Sequence, residues 1–265
     1  MEIVEPQVYC IAETKLNEGG LENWLTDNHW QECLDHISGS DSEKLIELAG
    51  RRCYKSFKID GEKSNPNITK IRKNSEQYIL NILKSGHGSV CEHASSTWAM
   101  ENISRTTTHE IVRHKSGTAV SQESLRFCRI DKLAFWIPPE IEENAEAKEL
   151  FIQTLLNLEE SQKRLVSIFN INEIKNFGEK KKLTSSFRRI APIGIATGII
   201  MTFNMRALRW VIENRTTEHA EIEIRHVVNK IAEQAVLRWP MIFQDFKKQE
   251  VEYGPPVWTP QHHKV

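Results

Sequence analysis

The sequence predicts an α+β fold: a single domain of mixed helices with a central β-sheet. Three observations carry this. Ile195–Phe203 is apolar and β-branched, as a buried strand requires, and Ser96–Ile103 has a similar strand-forming character. Residues 140–170 and Glu218–Leu237 repeat apolar side chains every three or four positions, the period of an amphipathic helix. The 265 residues are 39% hydrophobic and 27% charged, without a repeat or low-complexity tract. That is enough for a sizeable core and unlike a disordered or fibrous chain.

Taken in order, residues 1–40 carry the weakest pattern and read as an N-terminal extension of the domain. Residues 41–250 form its body, and residues 251–265 form a C-terminal tail. Residues 41–57 read as a helix that Ser or Asp caps. Residues 60–67 read as a loop, rich in Gly, Asn and Pro. Ile71, Tyr78, Ile79, Ile82 and Leu83 predict a helix over 68–85, closed by Gly86. After the strand Ser96–Ile103, Ser104 caps a helix to about His114. Phe151, Leu155, Leu158, Leu165 and Phe169 form the apolar stripe of the 140–170 helix. Lys180–Lys182 reads as a solvated turn, and a short helix over Thr184–Ile190 ends before Pro192. Asn204–Arg215 and Glu218–Leu237 follow as helices, the second with Ile224, Val227, Val228, Ile231 and Ala235 inward.

The 35 Lys+Arg against 36 Asp+Glu leave a net charge of −1, which argues against a dedicated nucleic-acid or membrane-surface binder. Ile190–Met205 is the longest uncharged run, but it is shorter than the ~20 residues of a membrane span and holds Pro192. The opening Met-Glu-Ile-Val-Glu-Pro has neither a basic nor an apolar leader region. The five cysteines (10, 33, 53, 91 and 128) are odd in number and none forms C-x-x-C. A reducing, cytoplasmic setting is expected.

Two segments concentrate chemistry. Between 104 and 130, Arg105, Arg113, Lys115, Arg126 and Arg129 face only Glu110 and Glu123. Such a cluster suits a phosphate, because the arginine fork matches phosphate oxygens. On composition alone a solvated helix end with surface Arg–Glu pairs is the commoner outcome for such a charge run. No metal is expected. His109 and His114 stand ~140° apart on a helix, where a zinc pair needs i,i+4 spacing, and His87 and His93 match no common site. In the second segment, Asn204, Leu208, Val211 and Arg215 fall within ~60° of one another on a helix, with Arg206 on the opposite side. Polar residues on that apolar face line a site or join a polar network. The alternative is an ion pair from Arg215 to Glu218 or Glu221 at the helix end.

Together these segments resemble the flavin-dependent thymidylate synthases. RHKSGTAVSQESLRF, from Arg113 to Phe127, is similar to the family's Arg-His-Arg, short loop and Ser-x-Arg-aromatic signature. GHGSVCEHASSTWAMENISR resembles its His-x-Ser-x-x-Glu-His block, and AGRRCYKS its early Arg-x-x-aromatic segment. Asn204, Arg206, Leu208, Arg215, His219, Ala220, Glu223 and Ile224 match its later helices. The blocks keep the family order from about residue 48 to residue 246.

The resemblance implies that family's fold and its reaction: methylation of dUMP to dTMP. Methylenetetrahydrofolate is then the carbon donor, FAD the hydride carrier and NADPH the reductant. It implies a homotetramer with sites between subunits, small-molecule substrates, and no nucleic-acid or membrane partner. No cysteine nucleophile is needed. By position, Arg215 is the residue that polarises the uracil ring, and Ser124 is the signature serine beside it. The dUMP set is Glu110, Arg113, Gln122, Glu123, Ser124, Leu125, Arg126, Arg188 and Arg215. The FAD set is Ser89, Arg113, His114, Lys115, Gln122, Asn204, Met205, Arg206 and Trp210.

The chain departs from the family pattern in places. Lys115 replaces the second arginine of the triplet and loses its bidentate fork. Phe127 replaces a tyrosine. Trp210 stands where the family often has Asn or His and accepts no hydrogen bond. A second expectation therefore accompanies the first: a catalytically inactive member that binds nucleotide or nucleic acid.

Overall fold

Side-chain alternation sets the central sheet. In the strand Ser95–Ser104, the side chains of Ser96, Trp98 and Met100 are buried, while Thr97, Ala99 and Glu101 alternate onto the other face. The structure is a computed structural model that describes residues 1–58, 65–68, 70–126, 132–263 and 265. Phe127, Cys128, Arg129 and residues 60–64 of the expected loop lie outside the described residues.

The first half of the chain holds β1 (Glu2–Ile3), β2 (Gln7–Glu13), α1 (Glu18–Asp27), α2 (Asp41–Tyr54), α3 (Ser75–Lys84), β3 (Ser95–Ser104), α4 (Arg105–Ile111) and β4 (Thr118–Gln122). Then follow β5 (Ala134–Phe135), α5 (Pro139–Glu142), α6 (Ala145–Ile168), α7 (Phe177–Phe187), β6 (Ala196–Asn204), α8 (Met205–Arg215), α9 (Ile222–Arg238), β7 (Phe246–Gln249) and β8 (Val257–Pro260). Short 3-10 turns cover Gln31–His36, Gly88–His93 and Arg188–Ile190.

The main sheet runs β2-β3-β6-β4, with every neighbouring pair antiparallel. Trp98 pairs with Met201 and Met100 with Ile199, so both strands turn one apolar face the same way. That face packs with Leu208, Val211 and Ile212 of α8 and with Ile224, Val228 and Ile231 of α9. Each such side chain contributes roughly 1.5–3 kcal/mol by leaving water. Tyr9 and Ile200 both pair with Ala99 on the opposite face, where both are exposed.

The ends of the chain join this body. Residues 1–40, expected as an extension, contribute β2 to the sheet. They also bring Leu25, Cys33 and Trp30 against Leu48 and Phe57. Trp30 stacks on Phe57 with ring centroids 4.2 Å apart.

Several boundaries differ from the sequence reading, and asparagine caps account for three of them. α3 starts at Ser75 rather than 68, because Asn74 accepts from Gln77 N. The 140–170 helix divides into α5 and α6, because Asn144 caps Ala147 N. The Thr184–Ile190 helix begins earlier, at Phe177, with Asn176 capping Glu179 N. Lys180–Lys182 is therefore helical rather than a turn. An Asn side chain offers the first free N–H groups an acceptor, and a helix starts where that offer is made. α2 ends at Tyr54, α4 at Ile111, and α9 begins at Ile222 behind Glu221. β4 was not anticipated as a strand.

The carboxy-terminal segment is held by one buried ion pair. Arg209 Nη1 and Nη2 donate to Asp245 Oδ1 at 2.8 Å and Oδ2 at 3.0 Å, with both side chains at most 2% exposed. Asp245 also accepts from His262 N, and Arg209 also donates to Ile242 O. Asp245→Ala leaves the Arg209 charge buried without its partner. It is expected to cost about 3–5 kcal/mol, read as a lowered urea midpoint. A loss under about 1 kcal/mol would contradict a structural role.

Candidate active site

The site is built around the junction between β6 and α8. Asn204 ends the strand in an extended conformation, and its Oδ1 accepts from Ala207 N at 2.8 Å, capping the helix. Its backbone N donates to Gly117 O at 2.8 Å. Gly117 has φ +70°, and a Cβ there would come within 2.3 Å of Asn204 Nδ2. Only glycine permits that approach. The loop from Arg113 to Gly117 is thereby pressed against the start of α8.

A cavity of about 470 Å³ opens at this junction. Glu92, Ser116, Asn204, Arg206, Ala207, Trp210, His263 and Val265 line it. Its size falls within the range of small-molecule sites, roughly 300–1,000 Å³. Arg206 Nη1 donates to Glu92 Oε1 at 2.6 Å. The Trp210 ring is half exposed. One cation, Arg206, the neutral donors of Ser116 and Asn204 and one flat aromatic surface together fit a ligand that carries both an aromatic ring and an anionic group. Arg113 and Lys115 are exposed nearby in the chain, and Ser89 is exposed in the turn that holds Glu92. Met205, expected to contact the cofactor, instead has its side chain fully buried in the core.

At the far end of α8, Arg215 is caught between two residues of the α4 segment. Its Nε donates to His114 Nε2 at 2.8 Å, its Nη1 to Glu110 Oε2 at 2.9 Å, and its Nη2 to Glu110 O at 3.3 Å. The expected alternative, an ion pair with Glu218 or Glu221, is not what forms. The partner lies more than a hundred residues earlier in the chain. Burial, then the Arg215 and Arg113 charges, push His114 down to about 4. The imidazole is therefore neutral at pH 7 and accepts the Arg215 hydrogen bond. The guanidinium keeps further donors for a ligand.

The remaining expected residues gather beyond β4. Gln122 Nε2 donates to Thr108 Oγ1 at 2.9 Å, and Arg105 Nη2 to Glu123 O at 2.8 Å. Glu123 Oε2 accepts from Gly198 N and Thr197 Oγ1, so its carboxylate fastens β4 to β6. Ser124 Oγ accepts from Arg126 N, shaping a turn with Leu125 half-buried and Arg126 exposed. Arg188 is exposed, and its charge lowers the pKa of the half-buried Arg105, second to burial. β4 itself separates this group from Ser116 and Asn204 by roughly 15 Å. One chain therefore brings together the cavity residues and, separately, the Arg215 cluster and the Gln122–Arg126 turn.

Five cavity residues escaped the sequence reading: Glu92, Ser116, Ala207, His263 and Val265. Glu92 lies inside the His-x-Ser-x-x-Glu-His block without an assigned role, and only the fold brings His263 there. Among the described residues no group of three or more His, Cys, Asp or Glu is placed to hold a metal. Burial pushes the Cys33 and Cys91 thiols up to about 11, which makes both poor nucleophiles at neutral pH.

Comparison with known proteins shows the family of the chain. The family model for thymidylate synthase complementing proteins matches residues 33–241. The flavin-dependent thymidylate synthase of Corynebacterium diphtheriae is 32% identical over 220 residues, 82% of this chain and 84% of that protein. The chain belongs to the flavin-dependent thymidylate synthase family. The Corynebacterium efficiens member of this family is 31% identical over 261 residues, 96% of this chain and 94% of that protein. The crystal structure of a UMP/dUMP methylase, PolB from Streptomyces cacaoi, bound with 5-Br dUMP shares the fold. It aligns with TM-score 0.63 at 15% identity, over 91% of this chain and 95% of that one. Membership of the flavin-dependent thymidylate synthases makes this chain a methyltransferase with a flavin cofactor and a small-molecule substrate. No helix among the described residues is long and apolar enough to cross a membrane.

The depressed His114 pKa gives this family member a pH signature. Unfolded, the imidazole takes up its proton near 6.5, and folded only near 4. Unfolding therefore binds a proton in that window, and stability falls as pH drops from 6.5 towards 4. His114→Gln is expected to flatten that part of a stability–pH curve measured by urea denaturation. An unchanged slope would remove His114 as its source.

Proposed function

We propose that the chain methylates dUMP to dTMP, with methylenetetrahydrofolate as carbon donor, FAD as the flavin and NADPH as reductant. The observation that carries this reading is Arg215, a half-buried cation fixed by Glu110 and a neutral His114 and still holding free donors. Beside the N3–O2 edge of uracil, such a cation stabilises the anion that makes C5 nucleophilic. A flavin bound here and reduced by NADPH would supply the hydride that turns the transferred carbon into a methyl group. The protein's own tasks are to bind, orient and charge-stabilise.

Arg113, His114, Lys115, Asn204, Arg206 and Trp210, with Ser89 nearby, are the residues that would hold the flavin. Its diphosphate would fall to the cations and its ring to the Trp210 face. Gln122 to Arg126 would wrap the nucleotide largely through backbone groups, with Ser124 beside the pyrimidine and Arg126 and Arg188 on the phosphate. Glu123 contributes little through its carboxylate, which is engaged with Gly198. The separation between the cavity and the Gln122–Arg126 turn supports a site completed by a second copy. The exposed sheet face at Tyr9 and Ile200 offers such a copy an apolar surface. We assign a homotetramer working in the cytoplasm, with no nucleic-acid or membrane partner.

The test is transfer of labelled methylene carbon to dUMP by purified protein supplied with FAD and NADPH. Wild-type protein is expected to form labelled dTMP. Arg215→Ala is expected to lower kcat by about 100-fold or more, while Tm shifts by less than about 3 °C. Wild-type-like turnover in that variant would remove the role given to Arg215, and absence of label in wild type would remove the reaction.

A further inference from the structure

His263 and Val265 of the carboxy-terminal segment line the Arg206–Trp210 cavity, and their placement is set by the core beneath. The buried Arg209–Asp245 pair holds His262 through Asp245 Oδ2 and, at 3.4 Å, through Arg209 Nη2 to His262 O. Arg209 and Trp210 are neighbours on α8. One anchors the segment on the core side while the other faces the cavity. The next residue, His263, is pinned by a 2.6 Å hydrogen bond between its Nδ1 and Glu213 Oε1, one turn along the same helix. Val265 is buried against Gly88, where an added Cβ would come within 3.0 Å of the Val265 backbone and 2.9 Å of Arg206 Nε. The segment thus bridges α8 and the turn that begins at Gly88, and it lines the cavity on the way.

His263 is 60% exposed in its side chain yet oriented by Glu213, and it lines the same cavity as Trp210. Trp210 offers a flat face and one N–H, with no acceptor. With Nδ1 facing Glu213, the Nε2 of the imidazole adds a further hydrogen-bonding group to a lining that already holds Ser116, Asn204 and Arg206.

We propose that His263 is a ligand-contacting residue of the cofactor cavity, its ring and Trp210 together receiving the flavin. This rests on the assignment of the flavin to that cavity. The segment is then part of the binding site rather than a trailing end, and Glu213 is a positioning residue for His263.

The test titrates the full chain with FAD, following quenching of tryptophan fluorescence and the visible spectrum of the bound flavin. His263 is exposed, so His263→Ala is expected to fold with an unchanged Tm and to bind FAD roughly fivefold more weakly or worse, with a shifted visible band. Glu213→Gln, which only loosens His263, is expected to weaken binding less. FAD affinity in His263→Ala within about twofold of wild type, with the same bound spectrum, would overturn the proposal. Tighter binding would make the segment an obstruction and would also overturn it. Failure of the wild type itself to take up FAD would instead contradict the assignment of the flavin, and this proposal with it.

Discussion

One constraint organises the site: the strand-to-helix junction at Asn204. A single side chain ends β6, caps α8 and packs against Gly117 so closely that no Cβ fits between them. Fixing that junction fixes the rotation of α8. Once the rotation is set, Arg206 and Trp210 face the cavity, Arg209 faces Asp245, and Arg215 reaches α4. The apolar residues between them, Leu208, Val211 and Ile212, bury the helix against the sheet and hold that rotation. The same helix therefore serves the core with one face and the chemistry with others.

Electrostatics follow from this placement. Arg209 and Arg215 lie six residues apart on α8 and have opposite uses. Arg209 is fully buried and paired with a carboxylate, a structural arrangement that is costly to break and leaves no charge for a ligand. Arg215 is 20% exposed, and its second partner is an imidazole held neutral by burial and by the arginines themselves. A neutral acceptor orients the guanidinium without cancelling its charge. Arg215 also pairs with the Glu110 carboxylate, but through one N–H and with 20% of its side chain exposed, so it keeps donors and access to a substrate that the doubly hydrogen-bonded, buried Arg209 lacks.

Much of this was legible in the sequence, where the signals were local. The strands at 95–104 and 196–204, the capping role of Ser104 and the apolar stripe of α8 follow from periodicity and from short-range hydrogen bonding. The motif blocks carried the family. The helix starts at Asn74, Asn144 and Asn176 are not legible in apolar periodicity, because single capping side chains set them. β4 was missed because Thr118–Gln122 lies at a sheet edge and shows no buried alternation. The partner of Arg215 was illegible for a different reason. Glu218 and Glu221 are near in sequence, whereas Glu110 becomes near only when α4 and α8 pack on the same sheet. His263 was illegible in the same way, since the Arg209–Asp245 pair that places it joins distant segments.

The central claim is that Arg215, held as a charged donor, makes the pyrimidine of dUMP easier to ionise at N3. Ultraviolet titration of dUMP bound to the protein reads that ionisation directly. The account predicts that bound dUMP ionises at lower pH than free dUMP, and that Arg215→Ala abolishes the shift while the nucleotide still binds through its phosphate. Bound dUMP that titrates like the free nucleotide in the wild-type protein would contradict it.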